Sequence, residues 1–141
     1  MKVKVKKLHT DAVIPVYARE GDAGLDLTAI SEEIKDNGTV VYGTGLAFEI
    51  PKGYVGLLFP RSSSYKKDLR LSNSVGVIDS SFRGEVKFIY KTTKMFTNKL
   101  FDIGERVGQI VIVKHPYIEL VEAENLSDTD RGEGGFGSTG R

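Results

Sequence analysis

The stretch Arg131-Gly132-Glu133-Gly134-Gly135-Phe136-Gly137-Ser138-Thr139-Gly140-Arg141 joins one aromatic ring and two guanidiniums to a backbone too rich in glycine to hold a strand or a helix. Glycine lets a chain wrap closely around something. Phe136 offers a flat face for stacking, and Arg131 with the hydroxyls of Ser138 and Thr139 offers donors suited to phosphate. A ring beside phosphate donors fits a lid over a nucleotide; taken alone, the same composition also fits a disordered tail. A second segment, Asn73 to Glu85, reads as a strand, a tight turn and a return strand, with Asp79 near the tip of that hairpin. Gly76 leaves room for a flat ligand, whose edge can pair with backbone N–H and C=O groups. Asp79 lies between an apolar strand and Ser80-Ser81, where an aspartate serves either its own turn or as a carboxylate base.

Three further segments carry polar groups at strand ends. Phe59-Pro60-Arg61-Ser62-Ser63-Ser64 leads into a helical turn whose free N–H groups, serine hydroxyls and guanidinium would form an anion site, or else a plain serine cap. Glu20 to Ala29 sets carboxylates, Asp26 among them, around a small-residue bend, as a magnesium or water site requires and as turn-forming aspartates also explain. Gly104 to Ile110 brings one amide, Gln109, to the mouth of a strand.

Positioning these groups falls to short strands. Period-two alternation at Lys2 to Lys6, and β-branched or aromatic runs at Thr39 to Tyr42, Tyr54 to Phe59, Glu85 to Tyr90, Gln109 to Val113 and Ile118 to Val121, predict an all-β sandwich or barrel. Turn signals such as Asn37-Gly38, Pro51-Lys52-Gly53 and Arg83-Gly84 separate them. The one helical candidate runs from Ser62 to Leu71, with serines as cap oxygens. Residues 1–121 read as a core, 122–130 as an acidic polar linker and 131–141 as the lid. At 141 residues the chain is one domain's worth. A formal net charge of +1, with cations scattered, gives no support for a broad nucleic-acid or membrane surface. The absence of cysteine removes disulfides, thiolate metal sites and a cysteine nucleophile, and His9 and His115 have no metal-ligand spacing. No apolar stretch resembles a signal peptide or a membrane span, so a cytoplasmic location is expected, the host's cytoplasm if the chain is viral.

Taken in order, these five segments resemble the trimeric dUTP pyrophosphatases, or dUTPases. The run Gly76-Val77-Ile78-Asp79-Ser80 with Arg83-Gly84, and the tail Arg131 to Gly140, carry the likeness most specifically. The resemblance implies a jelly-roll-like distorted β-barrel with one short helix at most, a homotrimer with shared active sites, and dUTP as substrate. It implies hydrolysis to dUMP and diphosphate, which keeps uracil out of DNA and supplies dUMP for thymidylate synthesis. Asn73, Gly76, Val77, Ile78 and Lys87 match the uracil-reading positions, and Arg61, Ser62, Ser63 and Gln109 match phosphate contacts. Arg131 would hold the terminal phosphate, Phe136 would stack on uracil, and Gly137 and Ser138 would join the substrate contacts from the lid. Residues 122 to 136 span at most roughly 50 Å when extended, enough to reach a neighbouring or the same subunit.

In this likeness Asp79 is the general base that orients water towards the α-phosphorus. Mg2+ is the implied cofactor, held by phosphates and water with no direct protein ligand and with Asp26 in its outer shell. One departure stands out: Phe82 occupies the position where the family usually carries a tyrosine beneath the deoxyribose, keeping the ring and losing the hydroxyl. Two rivals share the barrel. A dCTP deaminase needs a proton-moving glutamate ten positions after the aspartate, where this chain has Ile89; a dUTP-sensing regulatory module would need neither Asp79 nor the tail.

Overall fold

The computed structural model describes residues 1–95 and 97–138. Thr139, Gly140 and Arg141 of the expected lid lie outside the described residues. Period-two burial is clearest in β9 Lys87–Thr92, where Phe88 and Tyr90 are buried and Lys87 and Ile89 exposed. The other strands are β1 Lys4–Lys7, β2 Leu25–Thr28, β3 Ser31–Ile34, β4 Thr39–Gly43, β5 Leu46–Glu49, β6 Tyr54–Phe59, β7 Leu69–Leu71, β8 Gly76–Ile78 and β10 Arg106–Lys114. They form two four-stranded antiparallel sheets, ordered β2-β10-β6-β8 and β3-β4-β9-β7, with β1 and β5 as a separate pair. The all-β, jelly-roll-like architecture expected from the sequence is the one the chain adopts, and its helical content among the described residues is a 3-10 turn at Ser62–Lys66.

One core lies between the sheets. Leu27, Leu58, Val107 and Ile110 enter it from the first sheet; Val40, Tyr42, Phe88 and Tyr90 enter from the second. Tyr42, Tyr90 and Phe101 meet in a ring cluster with centroids 5.7–6.0 Å apart, each pair adding about 0.5–1.5 kcal/mol beyond its buried area. Both phenols are satisfied. Tyr42 Oη accepts from the Phe101 N–H at 3.1 Å, and Tyr90 Oη donates to the Val107 carbonyl at 2.6 Å. Burial pushes the Tyr90 phenol up to about 12 and raises that of Tyr42 as well.

The Val107 carbonyl needs that hydroxyl because β10 is irregular there. Arg106 stands opposite Thr28, yet Gly108 stands opposite Leu27, so β10 carries one extra residue against β2. Such a bulge interrupts the ladder and shifts the phase of alternation. Val107 and Ile110, three apart, both face the core, while Arg106 is exposed and Gln109 half-buried. Gly108 sits where a Cβ would overlap the Phe88 ring, so the bulge and the ring fit only with glycine at that position.

Several expectations need correction. Helical geometry stops at Lys66, and Leu69–Leu71 is a strand whose leucines are both buried, because Leu-Arg-Leu is a period-two pattern. The cap of the 3-10 turn is Arg61 and no serine side chain bonds there. Asn73 to Glu85 is not a hairpin: β8 pairs with β6, whereas β9 pairs with β4 and β7, so the turn crosses from one sheet to the other. Glu85 and Val86 drive that crossing by bonding the backbone of Gly45, Thr44 and Leu46 before β9 begins. Ile118 to Val121 is no strand in the single chain, since no partner edge meets it, and Ile118, Leu120 and Val121 are exposed. β10 begins three residues ahead of its expected start, at Arg106. β2, β3, β5 and β7 did not stand out as strands, being only three or four residues long.

Removing the Tyr90 hydroxyl is the direct test of how the bulge is held. Tyr90→Phe is expected to lower unfolding free energy by about 1–3 kcal/mol, the cost of an unpaired buried carbonyl, read as a fall in urea midpoint at constant slope. An unchanged midpoint would show that the Val107 carbonyl does not depend on this donor.

Candidate active site

The phase shift in β10 has a chemical result. Arg106 and Gln109, which a regular strand would turn to opposite faces, line the same cavity. In register, Gln109 lies opposite Asp26 of β2 on one side and Phe59 at the end of β6 on the other. Its amide Nε2 donates to the Pro60 carbonyl at 3.0 Å. Gly24 faces the far end of this side chain so closely that a Cβ would overlap Oε1. β6 then runs out through Pro60 into the 3-10 turn, and this passage delivers Arg61 and Ser62 to the same place.

Asp26 is the hub of the cavity. Its Oδ1 accepts from Arg61 Nε at 2.9 Å and its Oδ2 from Arg106 Nη1 at 3.1 Å. Arg61 Nη1 reaches Ser63 Oγ at 3.3 Å. Two guanidiniums here face two carboxylates, Asp26 bonded by both and Asp22 turned to accept from the Arg19 N–H of its own turn. The space holds about 450 Å³, walled by Val13 to Val16 on its apolar side. Cationic forks, an amide and a serine around such a volume suit a polyanion. The loop before β10 is pinned by Glu105, which accepts from the Asp102 N–H and from Lys67 Nζ at 2.8 Å. The hydrogen bond from Lys67 holds the Glu105 carboxyl below its ordinary range.

A second, smaller cleft of about 160 Å³ brings together Asn73, Gly76 and Lys87, with Leu58 at its floor and Ile89 in its wall. Gly76 is pressed on Leu58, where a Cβ would stand 3.0 Å from the leucine Cβ. Ser74 turns the chain into this strand in the left-handed region, at φ 61°. β8 is the last strand of its sheet, so among the described residues one edge of Gly76, Val77 and Ile78 carries no ladder partner, leaving its outward N–H and C=O groups open to a planar ligand. Asp79 follows directly and is exposed. Its carbonyl accepts from the Phe82 N–H at 3.1 Å, and Arg83 Nη1 ties the Ser80 and Phe82 carbonyls at 2.7 and 2.8 Å. The Phe82 ring lies over Gly84, half open to solvent.

The structure therefore gathers Asp26, Arg61, Ser62 and Gln109 in one place, with Ser63 beside them, and Asn73, Gly76 and Lys87 in another. Within one chain the two cavities share no lining residue. Among the described residues, none of the tail lines either cavity. Arg131 Nε bonds its own Gly134 carbonyl at 2.8 Å, Phe136 is fully exposed at φ 51°, and Ser138 N–H bonds Gly135. Among the described residues no three His, Cys, Asp or Glu side chains cluster as a metal cage. Arg106 is the functional candidate that reading the sequence missed: its three-residue offset from Gln109 places the two on one face only through the bulge.

The dUTPase family model matches residues 10–140 of the chain. Deoxyuridine 5'-triphosphate nucleotidohydrolases of Nautilia profundicola and Hydrogenobaculum sp. are 44% and 43% identical to it, the first covering 100% of both chains and the second 99% of both. Among solved structures, a mutant dUTPase of Staphylococcus bacteriophage 80alpha with dUpNHpp superposes at a TM-score of 0.87, with 30% identity over 99% of each chain. A mutant dUTPase of phage phi11 of S. aureus, described with a structural Mg(II) ion, superposes at 0.78, with 25% identity over 91% of this chain and all of the other. The chain belongs to the dUTPase family.

Gly24 offers a test of the polyanion cavity. Gly24→Ala is expected to push the Gln109 amide aside and weaken binding of inorganic tripolyphosphate about tenfold, a loss of about 1.4 kcal/mol, with little change in Tm because only the tip of a flexible side chain moves. Calorimetric titration reads this, and unchanged affinity would remove Gln109 from the anion site.

Proposed function

We propose that this member of the dUTPase family hydrolyses dUTP to dUMP and diphosphate, with Asp79 as general base. The observation that carries the reading is the free edge of β8 ending on Asp79: backbone groups able to read a base lie one residue from a carboxylate. Uracil would pair with the open edge at Gly76 to Ile78, with Asn73 and Lys87 closing the cleft. Cytosine would present the opposite donor and acceptor pattern and leave buried groups unpaired. Ile89 in the cleft wall has no group that moves a proton, which disfavours deamination.

The carboxylate takes a proton from water as its oxygen attacks the α-phosphorus. The bond from that phosphorus to the bridging oxygen breaks, and diphosphate leaves with the electron pair. A base of this kind supplies about 10²- to 10⁴-fold, and the rest falls to groups that stabilise charge on the triphosphate. Arg61, Ser62, Ser63 and Gln109 serve that purpose. Asp26, at the cavity wall and engaged by two guanidiniums, is the carboxylate that would face the outer shell of a magnesium ion arriving with the triphosphate. When bound, the ion supplies charge neutralisation along the anhydride.

Neither cavity suffices alone, so we assign the complete site to the meeting of copies in a homotrimer. One copy would offer the β8 cleft, another the Asp26 cavity, and a tail would close over both through Arg131, Phe136, Gly137 and Ser138. Tyr117, Ile118, Leu120 and Val121 are exposed on the segment leading to the tail, apolar surface that a neighbouring copy would cover. Among the described residues no helix is long and apolar enough to cross a membrane. A cytoplasmic location fits the nucleotide substrate.

The reading is tested with a panel of dUTP, dCTP, dTTP and UTP in magnesium buffer, measuring diphosphate. Release is expected from dUTP alone at low enzyme, and Asp79→Asn is expected to bind dUTP and lose at least about 10²-fold in turnover. Equal release from all four nucleotides, or near-wild-type turnover of the variant, would refute it. Sharing of the site has its own test. A chain ending at residue 130 and the full-length Asp79→Asn chain are each expected to be nearly inactive, and refolding them together is expected to restore a fraction of turnover. No recovery would mean that base and lid act within one copy.

A further inference from the structure

Arg106 has no part in the scheme so far, yet its guanidinium lies on the carboxylate that holds Arg61. We propose that Arg106 is a positioning residue for the triphosphate site: it fixes and neutralises Asp26, and Asp26 in turn aims the terminal fork of Arg61 at the phosphates. The inference rests on the hydrolase reading above only in taking the ligand to be a triphosphate.

The bonds apportion the Arg61 guanidinium. Its Nε–H goes to Asp26 Oδ1 at 2.9 Å and Nη1 to Ser63 Oγ at 3.3 Å, while no acceptor among the described residues meets Nη2. The edge left over is the one that pairs with a phosphate in bidentate fashion. A fork of this kind is useful only if its plane is fixed, and the plane is set by Asp26. Asp26 would be a loose support by itself, since a carboxylate bonded through one oxygen turns about its own side chain. Arg106 Nη1 on Oδ2 at 3.1 Å stops that rotation.

Charge gives a second reason. Asp26 is 23% exposed at the cavity wall, and its negative charge would oppose an incoming polyanion. Arg106, 53% exposed and lining the same cavity, offsets it and leaves the Arg61 charge available. The bulge in β10 is what makes this contact possible, because it sets Arg106 opposite Thr28 on the same face as Gln109. A direct phosphate ligand would act alone; a positioning residue acts through Asp26, and the two differ in how their substitutions combine.

The experiment is a double-mutant cycle of Arg106→Gln and Asp26→Asn, with Arg106→Lys as the conservative variant, on the full-length protein. Binding of inorganic tripolyphosphate without magnesium is followed by calorimetry, and dUTP hydrolysis by steady-state kinetics. Arg106→Gln is expected to weaken tripolyphosphate about tenfold and raise KM for dUTP by a similar factor, with kcat held within about threefold. Arg106→Lys is expected to recover part of the loss, and in the Asp26→Asn background Arg106→Gln is expected to cost less than about twofold. Equal cost in both backgrounds would make Arg106 a direct ligand and overturn the proposal, as would no cost in the wild-type background or a loss that tracks Tm alone. A wild type that releases no diphosphate from dUTP would sink the hydrolase reading, while the tripolyphosphate cycle would still decide the role of Arg106.

Discussion

The extra residue in β10 is the constraint on which both the core and the polar cavity depend. A regular strand from Arg106 to Lys114 would have to choose between burying Val107 and burying Ile110. With the insertion both are buried, and the same phase change turns Arg106 and Gln109 outward together. Two neighbours make it tolerable: Tyr90 Oη supplies the hydrogen bond that the ladder no longer gives the Val107 carbonyl, and Gly108 yields space to the Phe88 ring. Packing and chemistry are thus linked through one irregular residue, not built as separate layers. Sheet bulges near functional groups are a common device for re-aiming a side chain.

Much of this was legible in the residues. Tyr54–Phe59 was bounded correctly because Pro51-Lys52-Gly53 and Pro60 punctuate it on both sides, and the tail was conspicuous from composition alone. Arg61, Ser62 and Gln109 were recognisable as anion-binding types, and they do share a cavity with Asp26. Arg106 was not, since period-two counting sends it to the opposite face from Gln109, and nothing in Arg-Val-Gly-Gln announces an inserted residue. The crossing between β8 and β9 was hidden for a different reason. Ser-Ser-Phe-Arg-Gly has the chemistry of a hairpin turn, and only the long-range bonds of Glu85 and Val86 to Thr44, Gly45 and Leu46 separate the two strands into different sheets. Ile118 to Val121 has strand composition and no strand partner within its own chain, a distinction that local pattern cannot make.

The division of polar groups between two cavities explains why a chain of this size would assemble. β6 and β10 are neighbours in one sheet, yet the groups suited to phosphate lie at the β10 and β2 side and those suited to a base at the β8 edge. A small sandwich has one core and no deep interior crevice in which to bring such groups face to face. In the assembly proposed above, contact between copies would supply the missing wall without enlarging the domain.

The tail's bonding pattern also bears on how a reaction cycle would end. Arg131, Gly134, Gly135 and Ser138 bond to near neighbours, and among the described residues no hydrogen bond ties the segment to the barrel. Ordering it costs on the order of 1–2 kcal/mol of chain entropy per residue, so a closed cover would exist only while an intact polyanion bridges it to the rest of the molecule. Cutting the anhydride removes that bridge. Cleavage itself would then be the signal for opening, and departure of the products would need no separate trigger.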